Sequence, residues 1–192
     1  ASVMELRDPY TAGHERKVGN LAVAIAIKMN LSSEITDCLY VAGYLHDIGK
    51  MAVPAEILSK PSALTDTEFE MIKSHVAHGD DILRKVKMPW PVAEVAYQHH
   101  ERLDGSGYPN GLKADSIRIE SKIMAIADVI EAMTSHRPYR AGLGLDVALG
   151  EIKENAGTLY DEKVVKATVA LFREDNYEFS EEMKEISFVF DN

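Results

Sequence analysis

The sequence predicts an all-α fold, a single-domain bundle of about seven or eight helices. Apolar residues recur at steps of three and four along most of the chain, which is the helical period. Capping residues before these runs and glycines after them are typical of helix ends. No repeat, low-complexity tract or change of composition divides the 192 residues into two domains, and this length suits one domain with a sizeable core.

The elements follow from these signals in chain order. The first helix carries an apolar stripe from Val18 to Met29 and begins near Asp8-Pro9, and the second opens at Ser32 or Ser33 and ends near Gly49. Thr65 and Glu68 form a capping box that starts the third. The remaining helical segments are Val92 to His99, Ile123 to Met133, Asp146 to Asn155 and Asp161 to Arg173. Residues 54–62 and 103–112 are predicted loops, the second dense in turn residues.

Composition and net charge exclude several classes of binding partner and site. The formal net charge is -10 at pH 7, and so acidic a surface repels a long nucleic acid. No uncharged apolar run is long enough to span a membrane, and the first residues lack the apolar segment of a signal peptide, so we expect a cytoplasmic domain. Cys38 is the single cysteine; we expect a small buried side chain, since a thiolate zinc site needs several cysteines.

Polar residues occur where a core should be. His46, His75 and His99 continue apolar stripes, and Asp128 interrupts the most apolar helix in the chain. A buried, unpaired carboxylate costs several kcal/mol. Each histidine alone is more often a hydrogen-bonded core residue, and Asp128 alone is as readily explained by a salt bridge as by a metal. Together they favour a shared metal centre, because one ion satisfies several such groups at once.

Two adjacent pairs, His46-Asp47 and His99-His100, sharpen this interpretation. Neighbours on a helix point about 100° apart, so each pair suits reaching two ions, or a carboxylate that bridges two ions beside a terminal imidazole. Imidazole and carboxylate ligands without thiolate favour iron, manganese or zinc and do not separate these metals.

The string from His46 to Lys50 (HDIGK), followed by the string from His99 to Pro109 (HHERLDGSGYP), closely resembles the HD-GYP family of HD-domain metal phosphohydrolases. The resemblance extends from Asp8 to about Phe172. It implies a helical bundle around two or three metal ions, usually iron or manganese. It also implies hydrolysis of cyclic di-GMP to linear pGpG, in some members on to GMP.

Carried over by motif, the resemblance implies seven metal ligands, with Asp47 bridging two ions: His14, His46, Asp47, His75, His99, His100 and Asp128. Members with a third metal carry a glutamate where this chain has Tyr10, so we expect two ions. His78 and His136 are expected near the site or on the surface and outside the ligand set.

The hypothesis for catalysis is attack by a hydroxide that bridges the two metals, with Asp47 and Lys50 as the catalytic residues. By spacing alone, Lys50 suits a helix C-terminus equally well. The expected substrate contacts are Lys50, Gly107, Tyr108, Pro109, Arg137 and Arg140. For the two arginines, surface salt bridges are the alternative.

The expected organisation is a catalytic domain over residues 1–175, an acidic tail over 176–192 that packs on it, and an upstream sensor domain absent from this chain. The expected substrate is cyclic di-GMP or 3'3'-cyclic GMP-AMP. A diguanylate cyclase (GGDEF) partner and a homodimer are left open. Two alternatives remain: a receptor or adaptor that binds cyclic di-GMP or a cyclase without cutting, and another HD-type nucleotide phosphohydrolase.

Overall fold

Helices make up the regular structure of the chain over residues 13–135 and 142–179, the residues described by a computed structural model. In chain order they are α1 (His14–Lys28), α2 (Ser33–Leu45), α3 (Ala55–Leu58), α4 (Asp66–Lys73), α5 (His75–Leu83), α6 (Val92–Gln98), α7 (Ile119–Thr134), α8 (Leu145–Glu154) and α9 (Glu162–Arg173). Because α3 has only four residues, eight longer helices form the described bundle. The prediction of an all-α fold is confirmed.

Helix α7 runs through the centre of the bundle. Ile123, Met124, Ile126 and Ile130 are fully buried, and the helix packs against α1, α2, α6, α8 and α9. Burial on nearly every side explains why this segment is apolar all round. Helix α1 packs along both α2 and α7, so the start of α1 lies close to the end of α2 and the middle of α7.

The capping box of α4 is present as predicted. Thr65 Oγ1 accepts a hydrogen bond from Glu68 N at 3.3 Å, and Glu68 Oε2 accepts one from Thr65 N at 2.8 Å. Helix α4 ends at Lys73, because the chain turns at Ser74 and α5 starts at His75. Phe69 consequently does not share a buried face with His75, and its side chain is 46% exposed.

Two predicted boundaries were wrong. Helix α2 ends at Leu45, not near Gly49: Asp47 takes φ −99° and ψ 6°, and a 3₁₀-helix covers Ile48–Ala52. The predicted loop 54–62 contains the single turn α3. Both differences concern one-turn elements, which are too short for a periodic pattern to reveal. The predicted helix start at Asp8 lies outside the described residues. Within the described part, the first helix begins at His14.

The last described residues lie on α9. The ring of Phe179 is 5.8 Å from that of Phe172 and 6.0 Å from that of Tyr177, measured between centroids. This agrees with a tail that packs on the domain, but residues 180–192 lie outside the described part, and the boundary at residue 175 stays a prediction. Among the described helices, none has the length and apolar character needed to cross a membrane.

Candidate metal centre

Seven predicted ligands come from five parts of the fold and meet in one interior region. They lie at the first residue of α1 and of α5, at the end of α2 and the turn after it, at the end of α6, and in the middle of α7: His14, His75, His46, Asp47, His99, His100 and Asp128. Their ligand atoms form two groups, each with all atoms within 4.8 Å of one another. One group is Asp47, His75, His99 and His100, and the other is His14, His46 and Asp128.

Asp47 lies between the two groups. Its Oδ1 is 3.2 Å from His75 Nε2 and 4.0 Å from His99 Nε2. Its Oδ2 is 3.5 Å from His46 Nε2 and 3.9 Å from His14 Nε2. Because α2 ends before Asp47, this carboxylate can turn into the interior beside its neighbour His46. One oxygen therefore faces each group of donors, which is the arrangement expected of a bridging carboxylate.

Three of the histidines are oriented by the same local bond. The Nδ1 atoms of His46, His75 and His99 lie 2.9, 2.7 and 2.7 Å from the carbonyl oxygens of Gly43, Ile72 and Ala96, each three residues earlier. A carbonyl can only accept, so Nδ1 carries a proton and donates it, which leaves Nε2 facing the interior. Orientation of this kind is typical of imidazoles that bind a metal.

The donors fit a divalent cation. The Nε2 atoms of His46, His75 and His99 and the Oδ1 atom of Asp47 are buried and have no hydrogen-bond partner of acceptable geometry. An unsatisfied buried polar atom costs about 1–3 kcal/mol, so four in one place need an explanation. A set of imidazole and carboxylate donors matches iron, manganese or zinc, and a bound ion would satisfy all four atoms.

Electrostatics hold most of these groups in the form that binds metal. Burial and the neighbouring His100 hold the pKa of His99 well below its usual value, and burial lowers the pKa of His100 to about 3. Burial would raise the pKa of Asp47, but Lys50 and His46 outweigh it and hold that pKa well below its usual value. Neutral imidazoles and an ionised carboxylate are the protonation states that metal binding requires.

Glu131 is a residue of the centre that the sequence reasoning missed. Its carboxylate is 3% exposed, and Oε2 lies 2.6 Å from His14 Nδ1. His14 Nε2 in turn lies 3.4 Å from Asp128 Oδ1. Burial lowers the pKa of His14, but its bonds to Asp128 and Glu131 prevail and raise the pKa to about 10. Glu131 follows Asp128 by three residues on the same apolar helix, and that spacing could have revealed it.

Glu15, beside His14, was also missed. It is 1% exposed, and neither of its carboxylate oxygens has a hydrogen-bond partner. Burial raises its pKa. The sequence offers no signal for this burial, because Glu15 stands in a charged stretch at the start of a helix, where acidic residues are common on the surface.

A comparison with protein families matches the description "HD domain" to residues 1–164. That match covers most of the chain. The chain belongs to the HD domain family. The two residues that give the family its name correspond to His46 and Asp47, which the fold places at the junction of the two donor groups.

Curated relatives of this HD domain agree with the resemblance to the HD-GYP branch. A cyclic di-GMP phosphodiesterase of Thermotoga maritima is 44% identical over 172 residues, which are 88% of this chain and 47% of that protein. The 3'3'-cGAMP-specific phosphodiesterase 3 of Vibrio cholerae is 38% identical over 159 residues, 83% of this chain and 35% of that protein. The chain spans less than half the length of these two relatives. Their similarity to this chain confirms the prediction of an HD-GYP domain.

A solved structure supports the fold of the HD domain. Bd1817, an HDG"Y"P protein from Bdellovibrio bacteriovorus, aligns with a TM-score of 0.68 at 18% identity, covering 83% of this chain and 51% of that one. At this level of identity the likeness concerns the arrangement of helices alone.

Two of the predicted substrate-side residues contact candidate ligands of the HD domain's centre. Lys50 donates a hydrogen bond to Asp47 Oδ2, and its side chain is 19% exposed. The ring of Tyr108 stacks on that of His100, with 4.7 Å between centroids and 27° between planes. Pro109 is exposed. Arg137, Arg140 and His136 lie outside the described residues, and His78 is exposed on α5, as expected.

The loop 103–112 is held by a carboxylate that the sequence reasoning missed. Glu101 is 3% exposed, and its oxygens accept hydrogen bonds from Asn110 N and Leu112 N, both at 2.8 Å. Gly107 packs against the preceding segment, where a Cβ atom would lie 2.4 Å from Arg102 N. The close approach that Gly107 permits is therefore to the chain itself, and a contact with substrate stays a prediction.

Proposed function

We propose that this HD-GYP domain is a metal-dependent phosphodiesterase that hydrolyses cyclic di-GMP to linear pGpG. The observation that carries the proposal is Asp47, whose two oxygens face two separate groups of imidazole and carboxylate donors. Two cations joined by a carboxylate suit the cleavage of a phosphodiester. The names of the relatives from Thermotoga maritima and Vibrio cholerae support this reaction class and a cyclic dinucleotide substrate.

The proposed cofactors are two divalent transition ions, iron or manganese. His75, His99 and His100 would hold one ion, His14, His46 and Asp128 the other, and Asp47 would contact both. When bound, such ions polarise a phosphate and lower the pKa of a coordinated water. The absence of thiolates from both groups supports iron or manganese over a structural zinc site.

Side chains of this domain would supply positive charge for the phosphate and line the substrate site. Lys50 brings an ammonium to the edge of the centre, within reach of a phosphate that approaches Asp47, and can neutralise charge that develops on the phosphate oxygens. Tyr108 stacks on the ring of His100 and would line the opening through which the substrate reaches the metal ions. Arg137 and Arg140 remain proposed phosphate or base contacts, since guanidinium groups suit both.

The nearest alternative substrate is 3'3'-cyclic GMP-AMP, because relatives specific for it align over most of this chain. An upstream sensor domain, a GGDEF partner, a homodimer and a cytoplasmic location also stay predictions from the sequence.

The test is anaerobic incubation of the chain, loaded with manganese or reduced iron, with each cyclic dinucleotide, and separation of the products by chromatography. We expect pGpG from cyclic di-GMP. A variant with His46→Ala and Asp47→Ala should lose both activity and metal, whereas His78→Ala, which changes an exposed histidine of α5, should lose neither. Lys50→Ala should turn over more slowly while keeping its metal.

Binding of cyclic di-GMP without turnover in the loaded chain would reject the proposal in favour of a receptor. Hydrolysis of nucleoside phosphates with no action on either cyclic dinucleotide would reject it in favour of another HD-type phosphohydrolase.

A further inference from the structure

A row of ring and cation contacts leads from the metal centre to the surface. The His100 ring stacks on that of Tyr108 at 4.7 Å between centroids. Lys73 Nζ lies 5.6 Å from the centroid of Tyr108 and 4.9 Å from that of Phe69. The row therefore joins a candidate metal ligand, the tyrosine of the GYP loop and two residues of α4.

Phe69, at the outer end of this row, lies outside the main hydrophobic core. It belongs neither to the buried core nor to the apolar residues that pack against the core, and it is 46% exposed. Helix α4 is already fixed at its start by the capping box. An exposed aromatic face costs free energy in water, and in nucleotide-binding proteins such a face stacks on a base.

Lys73 is the cationic member of the row. Its Nζ donates to Glu70 Oε1 at 2.7 Å and lies near the rings of Phe69 and Tyr108. Its side chain is 29% exposed, so the ammonium is partly enclosed yet reachable. A lysine so placed can donate to the O6 and N7 acceptors of guanine, whereas adenine offers N7 beside an amino donor.

We propose that Phe69 and Lys73 form a base-binding shelf, in which Phe69 stacks on one guanine of the substrate and Lys73 donates to its edge. The shelf rests on the proposed function, because it assumes that a nucleotide occupies the opening beside Tyr108. It assigns recognition of the base to α4, separate from the groups that act on the phosphate.

The test compares binding and turnover in the full, manganese-loaded chain. Phe69→Ala should weaken binding of a phosphorothioate analogue of cyclic di-GMP about 10-fold, measured by calorimetry, and raise KM for cyclic di-GMP with little change in kcat. Hydrolysis of bis(p-nitrophenyl) phosphate, which has no purine, should not change. Phe69→Tyr should bind as the original chain does, and so should Met71→Ala, a control at another exposed apolar residue of α4. Lys73→Met should lower the preference for cyclic di-GMP over cyclic di-AMP.

The results for Phe69→Ala and for the unaltered chain decide whether the shelf exists. If Phe69→Ala binds the analogue and cleaves cyclic di-GMP normally, the shelf is wrong and the proposed function stands. If the same variant also loses action on bis(p-nitrophenyl) phosphate, Phe69 supports the metal centre and the shelf is again wrong. If the unaltered chain neither binds the analogue nor cleaves cyclic di-GMP, both proposals fail.

Discussion

At four of the five histidines of the centre, the partner of Nδ1 determines which nitrogen faces the interior. His46, His75 and His99 use backbone carbonyls three residues earlier, bonds that follow from the local turn. At the first residue of α1, the Nδ1 atom of His14 instead lies 2.6 Å from Oε2 of the Glu131 side chain. A substitution of Glu131 can test how much this contact contributes to the orientation of His14.

We expect Glu131→Gln to weaken metal binding at the His14 group about 10-fold, because the amide is a weaker acceptor for His14 Nδ1. The affinity for manganese would be measured by competition with a chelator. Glu120→Gln is the matched control: Glu120 is a buried carboxylate of the same helix that pairs with Arg118 at 3.2 Å. Equal losses in the two variants, or none in Glu131→Gln, would show that Glu131 does not orient the ligand.

At the scale of elements, the centre depends on how closely the 3₁₀-helix Ile48–Ala52 approaches α5. A Cβ atom on Gly49 would lie 1.8 Å from the carbonyl oxygen of His75 and 2.5 Å from Gly79 N. These are backbone atoms that cannot rotate away. The glycine of the HDIGK string thus lets the turn that carries Asp47 lie directly against the helix that carries His75.

Gly49→Ala should therefore destabilise the chain by about 1–3 kcal/mol, through overpacking at this contact. The free energy of unfolding would come from urea titration of the metal-free protein. Gly150→Ala in α8 should instead add about 0.5–1 kcal/mol, because a Cβ there meets no atom within 4 Å and alanine favours the helix. If Gly49→Ala were as stable as the original chain, the close approach would not exist in solution.

The longer elements could be predicted from the sequence and the shorter ones could not. Helix α7 has a sustained apolar pattern, and the capping box of α4 is a local signal, so both were found. The end of α2 at Leu45 and the turn at Ser74 are not marked by a glycine or proline at those positions. Tertiary contacts override local preference at such places.

For the whole molecule, the family resemblance marked all seven candidate ligands, and an apolar background marked four of them: His46, His75, His99 and Asp128. Glu101 and Glu15 could not be separated from the chain's many surface acids, since their burial arises only when distant segments pack together. The net charge of -10 explains why a phosphate substrate needs local cations, which Lys50 and the proposed metal ions would provide.

The most direct measurement is anomalous diffraction from crystals of the manganese-loaded chain. We expect two peaks, one among His75, His99 and His100 and the other among His14, His46 and Asp128, with the carboxylate of Asp47 between them. A single peak, or no peak in this region while the seven side chains pair with one another, would contradict a centre built for two ions.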